Sequence, residues 1–272
     1  MTQPKDNLDT DPLRAFGSGV DFGRTAEDYA THRAGFPPEF FELLSKRGLA
    51  LPGQRALDLG CGTGTVARGL ALLGLDVTGI DPAGPLMSEA AKLDAAAGVK
   101  VRYMAGRAEA TGLSDDAFDL VTAGQCWHWF DRPAAATEVV RLLRPGGRVI
   151  VAHFDWLPQP GNMVEATEAL ILKANPNWAG AGGTGEYPDW SSDLGHAGIA
   201  DLETACFEIA QPYSHAAWRG RIRASAGVAA SLKPKATEAF DAALADMLSK
   251  RFPQEPLQVP HKVWLVTGAL PG

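Results

Sequence analysis

Short apolar runs alternate with helical stretches over the first half of this chain. Arg55–Leu59, Asp76–Ile80, Val99–Met104, Phe118–Thr122 and Val149–Ala152 are brief, mostly aliphatic and bounded by Gly, Pro or Asp. Strands buried on both faces read this way. Between them Val66–Leu73, Ala83–Ala97 and Pro133–Leu143 carry helical spacing on an alanine-rich background. Ahead of the first strand, residues 26–50 are also helical in pattern. Pro37-Pro38 opens Glu39–Arg47, whose Phe40, Phe41, Leu43 and Leu44 share a helical spacing, and Gly48 ends it. Residues 144–148 (Arg-Pro-Gly-Gly-Arg) read as a turn into the fifth strand. Alternation of this kind predicts an α/β, doubly wound parallel sheet with helices on both faces.

After His153 the rhythm changes. Pro158, Pro160 and Gly161 break the chain, Met163–Ala174 reads as a helix, and 175–193 reads as a loop containing Gly180, Gly182, Gly183 and Gly185. Leu202–Ala210 predicts a strand, His215–Ala224 and Lys235–Arg251 two helices, and His261–Thr267 a last strand. The expected organisation is a disordered segment over 1–24, a core over 25–154, a cap over 155–258 that includes strand six, and a last core strand with its tail over 259–272.

The chemistry starts where the first strand ends. Asp58-Leu59-Gly60-Cys61-Gly62-Thr63-Gly64 places three glycines at alternate positions before a helix. Such a bend lets a ligand approach the main chain, and the helix behind it offers N–H groups and partial positive charge. About twenty residues on, the second strand ends in Asp81, where a carboxylate can grip a ribose diol. These features describe a nucleoside-binding crevice at the carboxyl edge of the sheet.

The same residues, with Gly79-Ile80-Asp81, resemble motif I and the acidic second-strand end of the class I S-adenosylmethionine-dependent methyltransferases. The resemblance runs from Tyr29 to His153, just under half of the chain. It implies a seven-stranded, mostly parallel Rossmann-like sheet with a helical cap insertion. In that family strands six and seven form a hairpin, with the last strand antiparallel between five and six. It also implies S-adenosyl-L-methionine as cofactor. Gly60, Gly62 and Gly64 would line its methionine and ribose portion, and the backbone from Cys61 to Gly64 would meet the carboxylate. Asp58 would meet the ammonium group, and Asp81, followed by Pro82, the ribose hydroxyls. The plainer alternatives are a cap for Asp58 and a turn aspartate for Asp81. For adenine, the usual acidic position holds Arg107. Ala108 would offer its N–H to the purine, while Glu109 would take the amino group or face solvent. Tyr29 and Arg33 would fold over the cofactor, or belong to an ordinary amphipathic helix.

Strand four is followed by Gln125-Cys126-Trp127-His128-Trp129-Phe130. This run resembles a small-molecule subgroup that includes trans-aconitate methyltransferase-like enzymes. Gln125, Trp127 and Trp129 would bind the cofactor, whose sulfonium charge nearby aromatic faces attract by about 0.5–2 kcal/mol. Trp127 and Phe130 could instead only pack against the following helix. His128 is the candidate general base, or a donor that positions the acceptor. A carboxylate acceptor needs no base, whereas a phenol, hydroxamate or amine does. In the cap, Trp156, Trp218, Arg219 and Arg223 are the candidate acceptor-binding residues. Arg219 and Arg223 share a helical face and suit an anionic group, or form a solvated basic face. Trp178, Tyr187 and Trp190 are pocket walls or core, and 179–185 is a mobile lid or a plain connection.

The chain has 272 residues, net charge −7 and 46% hydrophobic residues. A sizeable core is possible, and the acidic balance argues against nucleic acid as a partner. No apolar run is long enough to span a bilayer. The polar, acidic N-terminus lacks a signal-peptide pattern, and three scattered cysteines suggest neither a metal site nor disulfides. The expectation is a cytoplasmic enzyme methylating a small organic acid or aromatic secondary metabolite. Oligomeric state is not legible. The rivals are a non-catalytic S-adenosylmethionine-binding regulator and an NAD-dependent oxidoreductase. The latter would want Gly-x-Gly-x-x-Gly, but Gly64 comes only two after Gly62.

Overall fold

A computed structural model describes residues 35–229 and 231–272. The expected disordered segment 1–24 and the candidates Tyr29 and Arg33 lie outside the described residues. In chain order the elements are α1 (Pro38–Lys46), β1 (Arg55–Leu59), α2 (Thr65–Leu72), β2 (Asp76–Asp81), α3 (Gly84–Ala97), β3 (Arg102–Ala105), β4 (Phe118–Gly124), a 3-10 turn (Trp127–Trp129), α4 (Arg132–Leu142), β5 (Leu143–Trp156), α5 (Met163–Ala174), α6 (Pro188–His196), β6 (Ala200–Tyr213), α7 (His215–Arg223), α8 (Pro234–Arg251) and β7 (Leu257–Ala269).

The seven strands form one sheet in the order β3-β2-β1-β4-β5-β7-β6. β1, β2, β3, β4 and β5 are parallel, and β7 lies antiparallel between β5 and β6. This is the doubly wound sheet with an antiparallel last strand that the sequence predicts. β1 sits near its middle and is buried from Ala56 onward, as an apolar run covered on both faces must be. On one face Phe40, Leu44, Val66 and Leu70 of α1 and α2 pack over Ile150 and Val263. On the other, Ala135, Val139 and Leu142 of α4 join Trp190 and Leu194 of α6 over Leu57, Val121 and Val149.

β6 and β7 run longer than expected, and two further elements differ more from the sequence expectation. Residues 175–193 are not loop throughout: α6 begins at Pro188, and its Trp190 and Leu194, four apart, are buried. β5 is also much longer than Val149–Ala152. At its start the turn residues are absorbed as an irregularity between Leu143, which pairs with Phe118, and Arg148, which pairs with Leu120. At its far end the antiparallel pairing with β7 runs to Trp156 opposite His261. β5 therefore carries His153 and Asp155 beyond the end of β4.

The cap helices α5, α7 and α8 have their own apolar cluster, built on Val164, Ile171, Trp218, Ile222, Leu244 and Leu248. Among the described residues, no helix is long and apolar enough to cross a membrane.

Candidate active site

Gly60, Cys61, Gly62 and Gly64 form the bend between β1 and α2. Cys61 N–H donates to the Ile80 carbonyl at 3.0 Å, and Gly60 packs against Cys126. Gly62 and Gly64 have φ of +53° and +74°, a region that strongly favours glycine. Their surroundings differ. Among the described residues, a Cβ on Gly62 would meet nothing within 4 Å, whereas one on Gly64 would lie 2.2 Å from the Tyr103 hydroxyl. The bend is thus open at Gly62 and closed beneath Gly64. Its floor is a polar network: Tyr103 donates to Asp94 Oδ2 at 2.8 Å, Arg68 Nε lies 2.8 Å from Asp94 Oδ1, and Arg68 Nη2 donates to the Thr63 carbonyl at 2.8 Å.

Asp81 faces the open side and is 8% exposed. It accepts from Gly62 N–H at 2.9 Å and from Ala83 N–H at 2.8 Å, one bond to each oxygen. A carboxylate has about four acceptor positions, so each oxygen keeps one for a diol. Burial raises the Asp81 pKa, and the two N–H bonds oppose it. Pro82 follows, exposed. An open glycine cradle beside a half-satisfied carboxylate fits the ribose and methionine portion of S-adenosylmethionine.

Asp58 points beneath the helix, not into the crevice. It accepts from Ala67 N–H at 3.1 Å and from the Thr122 hydroxyl at 2.8 Å. The structure therefore gives it the capping geometry, where the resemblance implied an ammonium partner. Burial pushes its pKa up to about 7, against both hydrogen bonds. A carboxyl raised on folding stabilises the fold below its unfolded value, near 4, and loses that contribution as pH rises through the folded value. His261 works in the opposite sense over much of the same range, because burial lowers its pKa to about 4. The clean readout is a difference. The melting temperature of Asp58→Asn minus that of the unaltered protein is expected to rise between pH 4 and 7. A flat difference would show that Asp58 is ionised throughout.

Of the adenine candidates, Ala108 is buried at 4% exposure. Glu109 does not face solvent. Its Oε1 accepts from Asp131 N–H at 3.0 Å and its Oε2 lies 3.5 Å from Arg107 Nε. Its visible role is to tie the loop after β3 to the loop after β4.

At the end of β4, Gln125 has φ +60°, and its N–H donates to the Ala152 carbonyl at 2.8 Å. A left-handed non-glycine residue at a strand's carboxyl end is a mark of a functional edge. From here a cavity of about 340 Å³ opens over β4 and β5, within the size range of small-molecule sites. Gln125, His128, Trp129, Trp156, Trp178 and Tyr187 form its walls, with Arg221 and Glu168 at the cap side. The Arg221 guanidinium sits 4.7 Å from the centre of the Trp156 ring. Glu168 accepts from Trp156 Nε1–H and Gly182 N–H, both at 2.8 Å, which anchors the glycine-rich connection to α5.

Four candidates are corrected. Trp127 is fully buried and donates to Asp193 Oδ2 at 3.1 Å, so it belongs to the core beneath the cavity. Trp218 is also fully buried and donates to Thr167 Oγ1 at 3.2 Å; it is the centre of the cap core. Arg219 and Arg223 both hold Asp241 of α8, with Arg219 Nε 3.0 Å and Arg223 Nη1 2.9 Å from Oδ1. They neither line the cavity nor form a solvated face. Arg221, midway between them, lies about 200° around the helix from Arg219 and is the arginine that reaches the cavity.

Sequence reasoning missed His153 and Asp155. His153 Nδ1 lies 3.0 Å from Asp155 Oδ1, and the Tyr187 hydroxyl donates to Asp155 Oδ2. The Tyr187 ring stacks on His153 and on Trp190, with centroids 4.8 and 4.1 Å apart. The His128 and His153 rings are 5.2 Å apart. Burial would raise the Asp155 pKa, but His153, the Tyr187 hydroxyl and His128 outweigh it and hold the carboxyl down to about 2.

Known proteins resemble this chain in sequence and in fold. A family model described as "Methyltransferase domain" matches residues 57–151. An uncharacterized methyltransferase of Mycobacterium tuberculosis is 38% identical over 130 residues, 48% of this chain and 50% of that protein. The chain thus spans about half the length of that relative. The ubiquinone biosynthesis O-methyltransferase of Xanthomonas euvesicatoria is 30% identical over 199 residues, 69% of this chain and 77% of that enzyme. In fold, the chain matches Haemonchus contortus phosphoethanolamine N-methyltransferase 2, solved with S-adenosylhomocysteine. The TM-score is 0.55 at 18% identity, over 92% of this chain and 57% of the other. With the glycine bend, the strand order and a relative matched over most of its length, the chain belongs to the class I S-adenosylmethionine-dependent methyltransferase family.

Proposed function

We propose that this protein transfers the methyl group of S-adenosylmethionine to a small organic acid or aromatic acceptor held in the cavity over β4 and β5. One observation carries this reading: the cavity starts at Gln125, where β4 ends beside the Gly60–Gly64 bend. A ligand in the bend and a second ligand in the cavity would meet at the carboxyl edge, where doubly wound sheets bind ligands. The bound cofactor would supply an activated methyl group on a sulfonium. The chain's own residues supply alignment and a dry site. Holding the reacting atoms about 3–3.5 Å apart accounts for roughly 7–11 kcal/mol of such a barrier.

The aromatic walls Trp129, Trp156, Trp178 and Tyr187 favour a planar acceptor, and Arg221 favours an anionic substituent on it. The Xanthomonas relative, named for ubiquinone biosynthesis, supports an aromatic acceptor. A cavity of about 340 Å³ suits a small molecule better than a nucleic acid. Incubation with methyl-labelled S-adenosylmethionine and a panel of hydroxyaromatics, carboxylic acids, DNA and RNA tests the reading. Label is expected in a small molecule. S-adenosylhomocysteine binding without transfer to any acceptor would favour a non-catalytic sensor, and label in nucleic acid would exclude the small-molecule reading.

Asp81→Ala is expected to weaken S-adenosylhomocysteine binding by about tenfold or more, the equivalent of one charge-assisted hydrogen bond. Unchanged affinity in calorimetric titration would remove Asp81 from the ribose.

A further inference from the structure

We propose that His153, oriented by Asp155, takes the proton from an acceptor hydroxyl, and that the acceptor is therefore a phenol or enol and not a carboxylate. This rests on the methyl-transfer reading and deepens it. Residues two apart on a strand share a face. His153 and Asp155 accordingly both line the cavity, while Phe154 between them packs in the core on the opposite face. Tyr187 donates to the Asp155 carboxylate at Oδ2, and His153 Nδ1 lies 3.0 Å from Oδ1, a charge contact off the hydrogen-bond line. A carboxylate oxygen that close to Nδ1 would repel a ring lone pair there, which favours the tautomer protonated on Nδ1 and leaves Nε2 as the acceptor. Nδ1 is buried, and the His153 ring lines the cavity.

The groups around this histidine agree with the assignment. His128 faces it from the 3-10 turn and Tyr187 from the segment before α6. Glu168 of α5 and Arg221 of α7 line the same cavity, and Asp155 and Arg221 act in opposite directions on buried His261 of β7. An acceptor atom at Nε2 sits one imidazole away from Asp155. An anionic carboxylate there would be repelled and would have no proton to give. A neutral hydroxyl avoids the repulsion and uses the base. In the step, the O–H bond breaks and its proton moves to Nε2. The oxygen's electron pair forms the new O–CH3 bond as the S–CH3 bond breaks, and sulfur keeps that pair as a neutral thioether. The imidazolium is held by Asp155 until its proton passes to solvent. His128 is then left with the positioning role.

The test uses 4-nitrophenol, whose ionisation is visible in its absorbance, added to the full chain saturated with S-adenosylhomocysteine. The bound probe is expected to ionise at least about one pH unit below the free probe. His153→Gln and Asp155→Asn should abolish that shift, while His128→Gln keeps most of it. S-adenosylhomocysteine affinity should change less than about threefold in His153→Gln and Asp155→Asn, because neither touches the glycine bend. With labelled cofactor, hydroxyaromatics should accept methyl and the matching carboxylic acids should not. An unshifted or unbound probe on unaltered protein that binds S-adenosylhomocysteine would overturn the proposal alone. So would a shift that survives His153→Gln or that His128→Gln abolishes. Failure of the unaltered protein to bind S-adenosylhomocysteine would overturn the methyl-transfer reading, and this proposal with it.

Discussion

Gly64→Ala is expected to destabilise the protein by roughly 3 kcal/mol or more, from a left-handed backbone cost of about 1–2 kcal/mol and overpacking of about 1–3 kcal/mol. The new methyl would sit 2.2 Å from the Tyr103 hydroxyl. That ring cannot retreat cheaply, because its hydroxyl is hydrogen-bonded to Asp94, which also holds Arg68 beneath the bend. Gly62→Ala is the matched control. Its backbone cost is similar, about 1–2 kcal/mol, but its methyl meets no atom of the described residues within 4 Å. It should remain folded and lose S-adenosylhomocysteine affinity, since the methyl points into the cradle. Denaturant unfolding and calorimetric titration of both variants separate the two roles. Equal stability losses would show that the bend is shaped by the protein alone.

Trp218→Ala should cost about 3–5 kcal/mol, the range for removing a large buried aromatic. The ring is fully buried and makes edge contacts with Trp156 and Tyr213, with centroids 5.6 and 5.3 Å away. Its loss empties the centre of the cap, and Thr167 keeps its own bond to the Met163 carbonyl at 2.7 Å. The damage is therefore chiefly a void, since the Thr167 hydroxyl loses one accepted bond but keeps the one it donates. S-adenosylhomocysteine binding, at the other end of the sheet edge, should change little. A loss below about 1 kcal/mol in urea unfolding would mean that the cap collapses around the site or contributes little to stability.

The core was legible because its signals are local. β1 and β2 are apolar runs ending in polar landmarks, and the glycines and Asp81 follow within a few residues. What was not legible depended on distant partners. Arg219 and Arg223 read as a basic pair because Asp241, on another helix, could not be placed beside them. Trp127 and Trp218 read as site aromatics because the acceptors for their indole N–H groups, Asp193 and Thr167, come from other elements. α6 was hidden by the glycines before it. β5 seemed to stop at Ala152, since only its pairing with β7 extends it. The His153-x-Asp155 period was present in the sequence and is the signal that could have exposed the dyad. Helical geometry likewise already separated Arg221 from its two neighbours.

The most direct measurement is a crystal structure with S-adenosylhomocysteine bound. The ribose diol is expected on Asp81, the methionine portion along Gly60–Gly64, and the sulfur turned toward the cavity at Gln125 and His128. Density for the nucleoside anywhere else, with Asp81 holding only its two backbone N–H groups, would contradict the assignment of the bend as the cofactor site.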